Sequence, residues 1–208
     1  MYHMVQFAPM AGKDPRGKLL NAAIDHIAAR GISDLSLREL AAAIGTSHRM
    51  LIHHFGSREA LWVEVIRAVE ARQRALLAEV LPDPEATAGD VMRQWWIHIS
   101  DESLWANERL FFEVYGQALQ GRPGTVELLD GIVDSWIEPA AEGFVAFGLP
   151  RAEALAQARL GLAVTRGLLL DLLATGDRAG VDAAMDAHIA LVEERLAGYS
   201  GHQQRDRR

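Results

Sequence analysis

Cysteine is absent from the 208 residues, which excludes disulfides, thiolate metal sites, a thiol nucleophile and thiol redox sensing. Strand signals are nearly absent as well: there is no extended alternation of β-branched residues and no Asn-Gly or Asp-Gly turn. Long apolar runs are missing. The longest charge-free stretch is the first twelve residues, MYHMVQFAPMAG, well short of the roughly 20 that span a bilayer and without the basic start of a signal peptide. A soluble cytoplasmic protein with no membrane partner is therefore expected. Catalytic motifs are lacking too: no glycine-rich phosphate loop, no HExxH, no GxSxG, and no carboxylate pairing that stands apart from solvated helix faces. A helical enzyme or scaffold acting on a small hydrophobic ligand, without DNA binding, is the alternative to the reading that follows.

What the sequence does contain is helical pattern. Helices are expected over 14–30, from Ser36 to Gly45, from Ser47 to Phe55, from Ser57 to about Leu81, and then over roughly 90–103, 105–120, 125–147, 151–175 and 181–198. This is an all-α fold of about nine helices. In the first, Leu19, Leu20, Ala23, Ile24 and Ile27 form one stripe, and Gly31 is its stop. Ser36 with Glu39 three residues on forms a capping box. PDPEATAG (Pro82 to Gly89) is the strongest boundary signal. The division is then a flexible arm at 1–13, a small helical domain at 14–56, a connecting helix at 57–81, a larger helical bundle at 82–200 and a flexible tail at 201–208. Charge changes sign across the boundary. Residues 1–80 carry ten Lys or Arg against eight Asp or Glu, net +2, and residues 81–208 carry eleven against twenty, net −9.

One stretch runs against the acidic whole. From Gly45 to Arg58 the chain holds His48, Arg49, His53, His54 and Arg58 and no acid. Before it, Leu37, Leu40, Ala41 and Ile44 share one helical face; after it, Leu51, His54 and Phe55 share another. Only Gly45-Thr46-Ser47 separates the two, so the helices must cross steeply and approach closely, with the small Ala41 at the crossing and Gly45 turning the chain. That is helix-turn-helix spacing. The outward face of the second helix holds Ser47, His48, Arg49, Ile52 and His53, an acid-free surface suited to the negatively charged major groove. His53 and His54 diverge by about 100° as helix neighbours and cannot chelate together, so neither a metal nor a cofactor is expected.

These residues carry a resemblance. The segment from about Arg16 to Ile66, with LSLRELAAAIGTS and LIHHFGSREAL, is similar to the DNA-binding domain of the TetR family of transcriptional regulators. The resemblance implies an N-terminal three-helix DNA-binding domain and a C-terminal ligand-binding and dimerisation bundle. It implies a double-stranded DNA operator, a homodimer through the last two helices and a small-molecule effector as partners. By position, Ser36 and Arg38 would touch phosphate or a base, Ser47, His48, Arg49 and His53 would lie in the groove, and Arg58 would grip phosphate. Where the family usually has a phosphate-contacting tyrosine this chain has Ile52, which can only make apolar contact, for instance with a thymine methyl.

The large aromatics Trp95, Trp96, Trp105, Phe111, Phe112, Tyr115, Trp136, Phe144 and Phe147 all follow the boundary. A filled core explains most of them. Interspersed polar groups also suit an apolar cavity for an organic ligand, with Met92, Trp95, Trp96, His98, Phe112, Tyr115, Trp136 and Arg166 as candidate lining residues. Arg166 stands in the otherwise apolar RLGLAVTRGLLLDLLATG, so it is at an edge, paired, or meeting an acidic ligand group.

Overall fold

The computed structural model describes residues 14–30, 35–80 and 86–206. The expected arm at 1–13, residues 82–85 of the expected boundary and the last two residues of the tail lie outside these. The described residues form nine α-helices and no strand: α1 (Pro15–Arg30), α2 (Leu37–Ala43), α3 (His48–Phe55), α4 (Arg58–Val80), α5 (Ala88–Ile99), α6 (Trp105–Leu119), α7 (Asp134–Ala146), α8 (Arg151–Thr175) and α9 (Arg178–Asp206).

Local chemistry fixes most of the ends. Ser36 caps α2, its hydroxyl accepting from the Glu39 N–H while the Glu39 carboxylate accepts from the Ser36 N–H. Ser47 caps α3 through the Met50 N–H, and Ser57 caps α4 through the Ala60 N–H. Gly45, at φ 71, makes the turn between α2 and α3 in a conformation that side chains disfavour.

Several ends differ from the sequence reading. Thr87 and Asp90 form a capping box, so α5 starts at Ala88 rather than near 90. It stops at Ile99 because Asp101 caps a separate 3₁₀ turn at Glu102–Leu104. The single helix expected over 125–147 is a 3₁₀ turn at Val126–Leu129 and then α7, split where Gly131 takes φ 71. The last helix runs from Arg178 to Asp206, past the expected end near 198 and into the stretch read as a tail from 201. No proline stands there, and Gln203, Gln204 and Arg205 are good helix formers.

The core does not stop at the domain boundary. Ala23, Ile24, Ile27, Leu40, Ala41, Leu51 and Phe55 pack on Leu61, Trp62, Val65 and Ile66 of α4, and the same cluster continues through Leu110, Phe111, Val114 and Ala118 of α6. Burying side chains of this size contributes about 1.5–3 kcal/mol each. The small head is thus packed onto the bundle through α4 and α6. Two further clusters close the bundle, one joining α5, α8 and α9 around Trp96, Leu172 and Ile189, the other joining α7, α8 and α9 around Ala141, Phe144 and Ala158.

Candidate nucleic-acid interface and ligand cavity

On α3, Leu51 and Phe55 are buried, and Ser47, His48, Arg49, Met50, Ile52 and His53 are exposed together on the outside. The face holds two histidines, one arginine and no acid, beside the positive end of the helix. Met50 belongs to this surface, and the sequence reading missed it; its place between Arg49 and the buried Leu51 was the available signal. His54 turns inward, half-buried, with its ring 5.0 Å from His53 and its carbonyl accepting from Arg16 Nε at 3.2 Å. Arg38 is exposed at the start of α2. Ser36 is not free to donate to a phosphate: its hydroxyl donates its one proton to the Glu39 carboxylate at 2.7 Å and accepts from the Glu39 N–H within the cap. Arg58 is half-buried, its guanidinium 5.9 Å over the Trp62 ring.

Inside the bundle lies a cavity with an empty volume of about 1080 Å³, part of it open to solvent. Of the eight expected lining residues, Met92, Trp95, Trp136 and Arg166 reach it, and Trp96, His98, Phe112 and Tyr115 do not. The reason is helical geometry. Adjacent residues point about 100° apart, so with Trp95 aimed into the cavity Trp96 is directed toward a neighbouring helix. Trp96 instead turns to α9, where its indole N–H donates to Asp182 at 2.7 Å. Phe111 takes the cavity side and Phe112 packs beside it against the α5, α8 and α9 cluster; Tyr115 stacks on Phe111 at 5.2 Å. His98 lies against Trp95 at 5.6 Å, its pKa lowered by burial.

Of the polar wall only Arg166 was expected. The wall is made by Glu70 and Gln73 of α4, Glu108 of α6 and Arg166 of α8. Glu70 accepts the Trp136 indole N–H and lies 3.8 Å from Arg74. Glu108 accepts from Gln73 Nε2 at 3.0 Å. Arg166 donates to the Ile132 carbonyl at 3.3 Å and stacks 5.0 Å over Phe111 and 5.5 Å over Tyr115. Asp171 is not its partner in these contacts. Burial raises both carboxyls, Glu108 to about 7, where the bond from Gln73 and the charge of Arg166 do not offset desolvation and the neighbouring Glu70 adds to it.

A folded-state pKa above the ordinary 4.5 means that the folded chain holds a proton the unfolded chain has lost. The stability from Glu108 is therefore full below about pH 4.5 and is lost as pH rises through about 7. The loss is on the order of a few kcal/mol. His98 and His188, lowered from 6.5 by burial, titrate in the opposite sense across part of this window, so the isolating comparison is with Glu108→Gln. Urea unfolding at about pH 5 and pH 8 is expected to show a larger drop for the natural chain than for the variant. Equal drops contradict the assignment.

Two of the three helices that build the polar wall, α4 and α6, also carry the head. From Arg58 to Glu70 is about 18 Å along α4. Near its start, Glu64 pairs with Arg16 of α1, and Glu59 pairs with Arg122 at 3.4 Å. Arg67 donates to the Glu127 carbonyl. The turn after α6 presses on α4 closely enough that a Cβ on Gly124 would meet Glu59 Cβ at 3.1 Å.

With this geometry in place, the comparisons are specific. Residues 19–65 match the model of bacterial regulatory proteins of the tetR family, which spans α1 to the first turns of α4. A transcriptional regulator from Rhodococcus sp. Rha1 has a TM-score of 0.71 at 21% identity, with 87% of this chain and 97% of that chain covered. A TetR transcriptional regulator from Legionella pneumophila gives 0.68 at 18% identity, covering 88% and 99%. The multidrug binding protein EbrR, solved with imidazole, gives 0.60 at 26% identity, covering 88% and 90%. Comparison with curated protein sequences gives no match. The head and the bundle together have the fold of these solved transcriptional regulators. The N-terminal domain is that of the TetR family, and the chain has the fold of that family's transcriptional regulators. No helix among the described residues is long and apolar enough to cross a membrane.

Proposed function

We propose that the chain is a ligand-responsive DNA-binding regulator that works as a homodimer. In this reading it is a repressor, released from a pseudo-palindromic operator when a small apolar or aromatic effector enters the bundle. The observation that carries it is the pairing of two features on one helix. The start of α4 adjoins the acid-free face of α3, and its middle supplies Glu70 and Gln73 to the cavity. A ligand that repositions α4 repositions the reading helix with it. Such a ligand releases DNA only if it binds the DNA-incompetent arrangement more tightly, and DNA must weaken its binding by the same factor. The similarity to a multidrug binding protein supports the ligand half of the reading.

The proposed DNA contacts are Arg38, Ser47, His48, Arg49, Met50, Ile52 and His53 in or beside the groove and Arg58 at the backbone, with Ser36 serving to hold the α2 start. One helix per chain reads only a few base pairs, so useful specificity needs two copies. The proposed dimer face is the outer stripe of α8, Ala156, Leu160, Ala163, Gly167, Leu170 and Ala174, all exposed in the single chain and spaced alternately by four and three. On α9 Ala187 and Leu191 extend it. Leu160, Leu170 and Leu191 are 51%, 53% and 66% exposed, which a lone bundle has no use for.

The test is enrichment of duplexes from a random-sequence library by the full chain. The expected product is a two-fold symmetric sequence with half-site centres about one helical turn apart. Recovery of no preferred sequence contradicts the proposal.

A further inference from the structure

The cavity is polar on one wall only. Elements α5, α7 and α9 give it apolar and aromatic side chains such as Trp95, Trp136, Phe144 and Met185, and the charged groups facing Glu108 are Glu70 from α4 and Arg166 from α8. The three are not equivalent. Glu70 already has an arginine at 3.8 Å and an indole donor. Arg166 is held by the Ile132 carbonyl and by two aromatic faces. Glu108, 5% exposed, has only the neutral Gln73 amide on Oε1, and among the described residues no donor reaches Oε2. Arg166 faces Glu108 but makes no ion pair with it; a buried carboxylate without a direct ion pair is costly, and an entering cation removes that cost. An entering anion would meet Arg166 but also lie against two carboxyl groups, Glu70 and Glu108. This weighs against the acidic ligand group that was one of the three readings of Arg166, and the Ile132 carbonyl and the stacked rings favour the held arrangement.

Resting on the reading of the cavity as the effector site, we propose that the effector is an organic cation with an apolar or aromatic body, its charged nitrogen seated on Glu108 and its body among Trp95, Trp136, Phe144 and Phe147. Aromatic faces favour a cation as well as an apolar body. The elevated pKa of Glu108 gives the site a signature: the ligand's charge displaces the carboxyl proton, so a permanently charged cation binds more tightly as pH rises through about 7.

The experiment is calorimetric titration of the full chain with three probes that share one body: phenylbutyl-trimethylammonium, phenylbutanol and phenylbutanoate. The cation is expected to bind at least about tenfold more tightly than the alcohol, as a buried charge–charge contact supplies, with the carboxylate weakest. Between roughly pH 6 and pH 8 the cation's affinity is expected to rise by about tenfold while the alcohol's stays level. Glu108→Gln is expected to remove most of the cation's advantage and its pH slope. If that variant fails to fold, the probe order and pH profile of the natural chain decide alone. A carboxylate or alcohol that binds as tightly as the cation, or a cation advantage that survives in Glu108→Gln, overturns the cation proposal and leaves the effector cavity standing. No binding of any probe at millimolar concentration overturns the cavity as an effector site, and the cation proposal falls with it.

Discussion

Leu170→Glu is expected to turn the dimer into a monomer and to lower affinity for the full operator by about a thousandfold or more. The residue is half-exposed in the single chain and sits in the middle of the α8 stripe, between Gly167 and Ala174. Its replacement therefore leaves the monomer's own packing alone. A Cβ built on Gly167 meets nothing within 4 Å, so the face beside it is open for a second helix to approach closely. Two glutamates brought together across a two-fold axis would be buried without partners, which costs more than the apolar contact they replace. Light scattering is expected to give the 22.8 kDa mass of one chain for the variant and twice that for the natural protein. Circular dichroism is expected to stay helical. A variant that remains a dimer and binds DNA normally moves the interface elsewhere.

Arg49→Ala is expected to cost about 1–3 kcal/mol at one base pair of each half-site, so about 2–6 kcal/mol and at least roughly thirtyfold over the symmetric site, and to flatten sequence preference there. The side chain is exposed in the first turn of α3, on the face free of acids. His53→Ala, one turn further along, is expected to act in the same way at a different base pair. Arg58→Ala is expected to behave differently. Its guanidinium lies over Trp62 beside the start of α4, and because it is the proposed backbone contact its loss is expected to weaken all duplexes about equally and to lower the salt slope by about one per contact. Competition binding against single-base variants of the enriched duplex separates the two behaviours. Uniform losses from all three substitutions would show that the division into readers and grips is wrong.

The head was readable in the sequence because each of its decisions is made locally. The Ser36–Glu39 box, the glycine at 45, the small Ala41 and the Ser47 cap lie within a dozen residues and do not depend on the rest of the chain. The cavity depends on which side of each helix faces inward, and there adjacent aromatics mislead. Trp95-Trp96 and Phe111-Phe112 offer one cavity residue per pair, and the choice is set by Asp182 on α9 and by the packing of α6, both remote in sequence. The acids of the polar wall did leave a trace. Glu70, Gln73 and Leu77 follow one another at helical spacing along the α4 stripe, and Glu108 stands one turn before Phe111. A polar residue at a core position signals either a partner or a ligand. The helix expected over 125–147 failed at Gly131 for a similar reason: a glycine inside a periodic stretch reads as tolerated until its positive φ is seen.

The most direct test of a sequence-specific DNA-reading protein is the ratio of its affinities for the enriched duplex and for a scrambled duplex of equal length, measured across a salt series. The expected result is a ratio of at least about a thousandfold near physiological salt, with both affinities falling as salt rises. Equal affinity for the two duplexes at every salt concentration, or no binding to either, contradicts it.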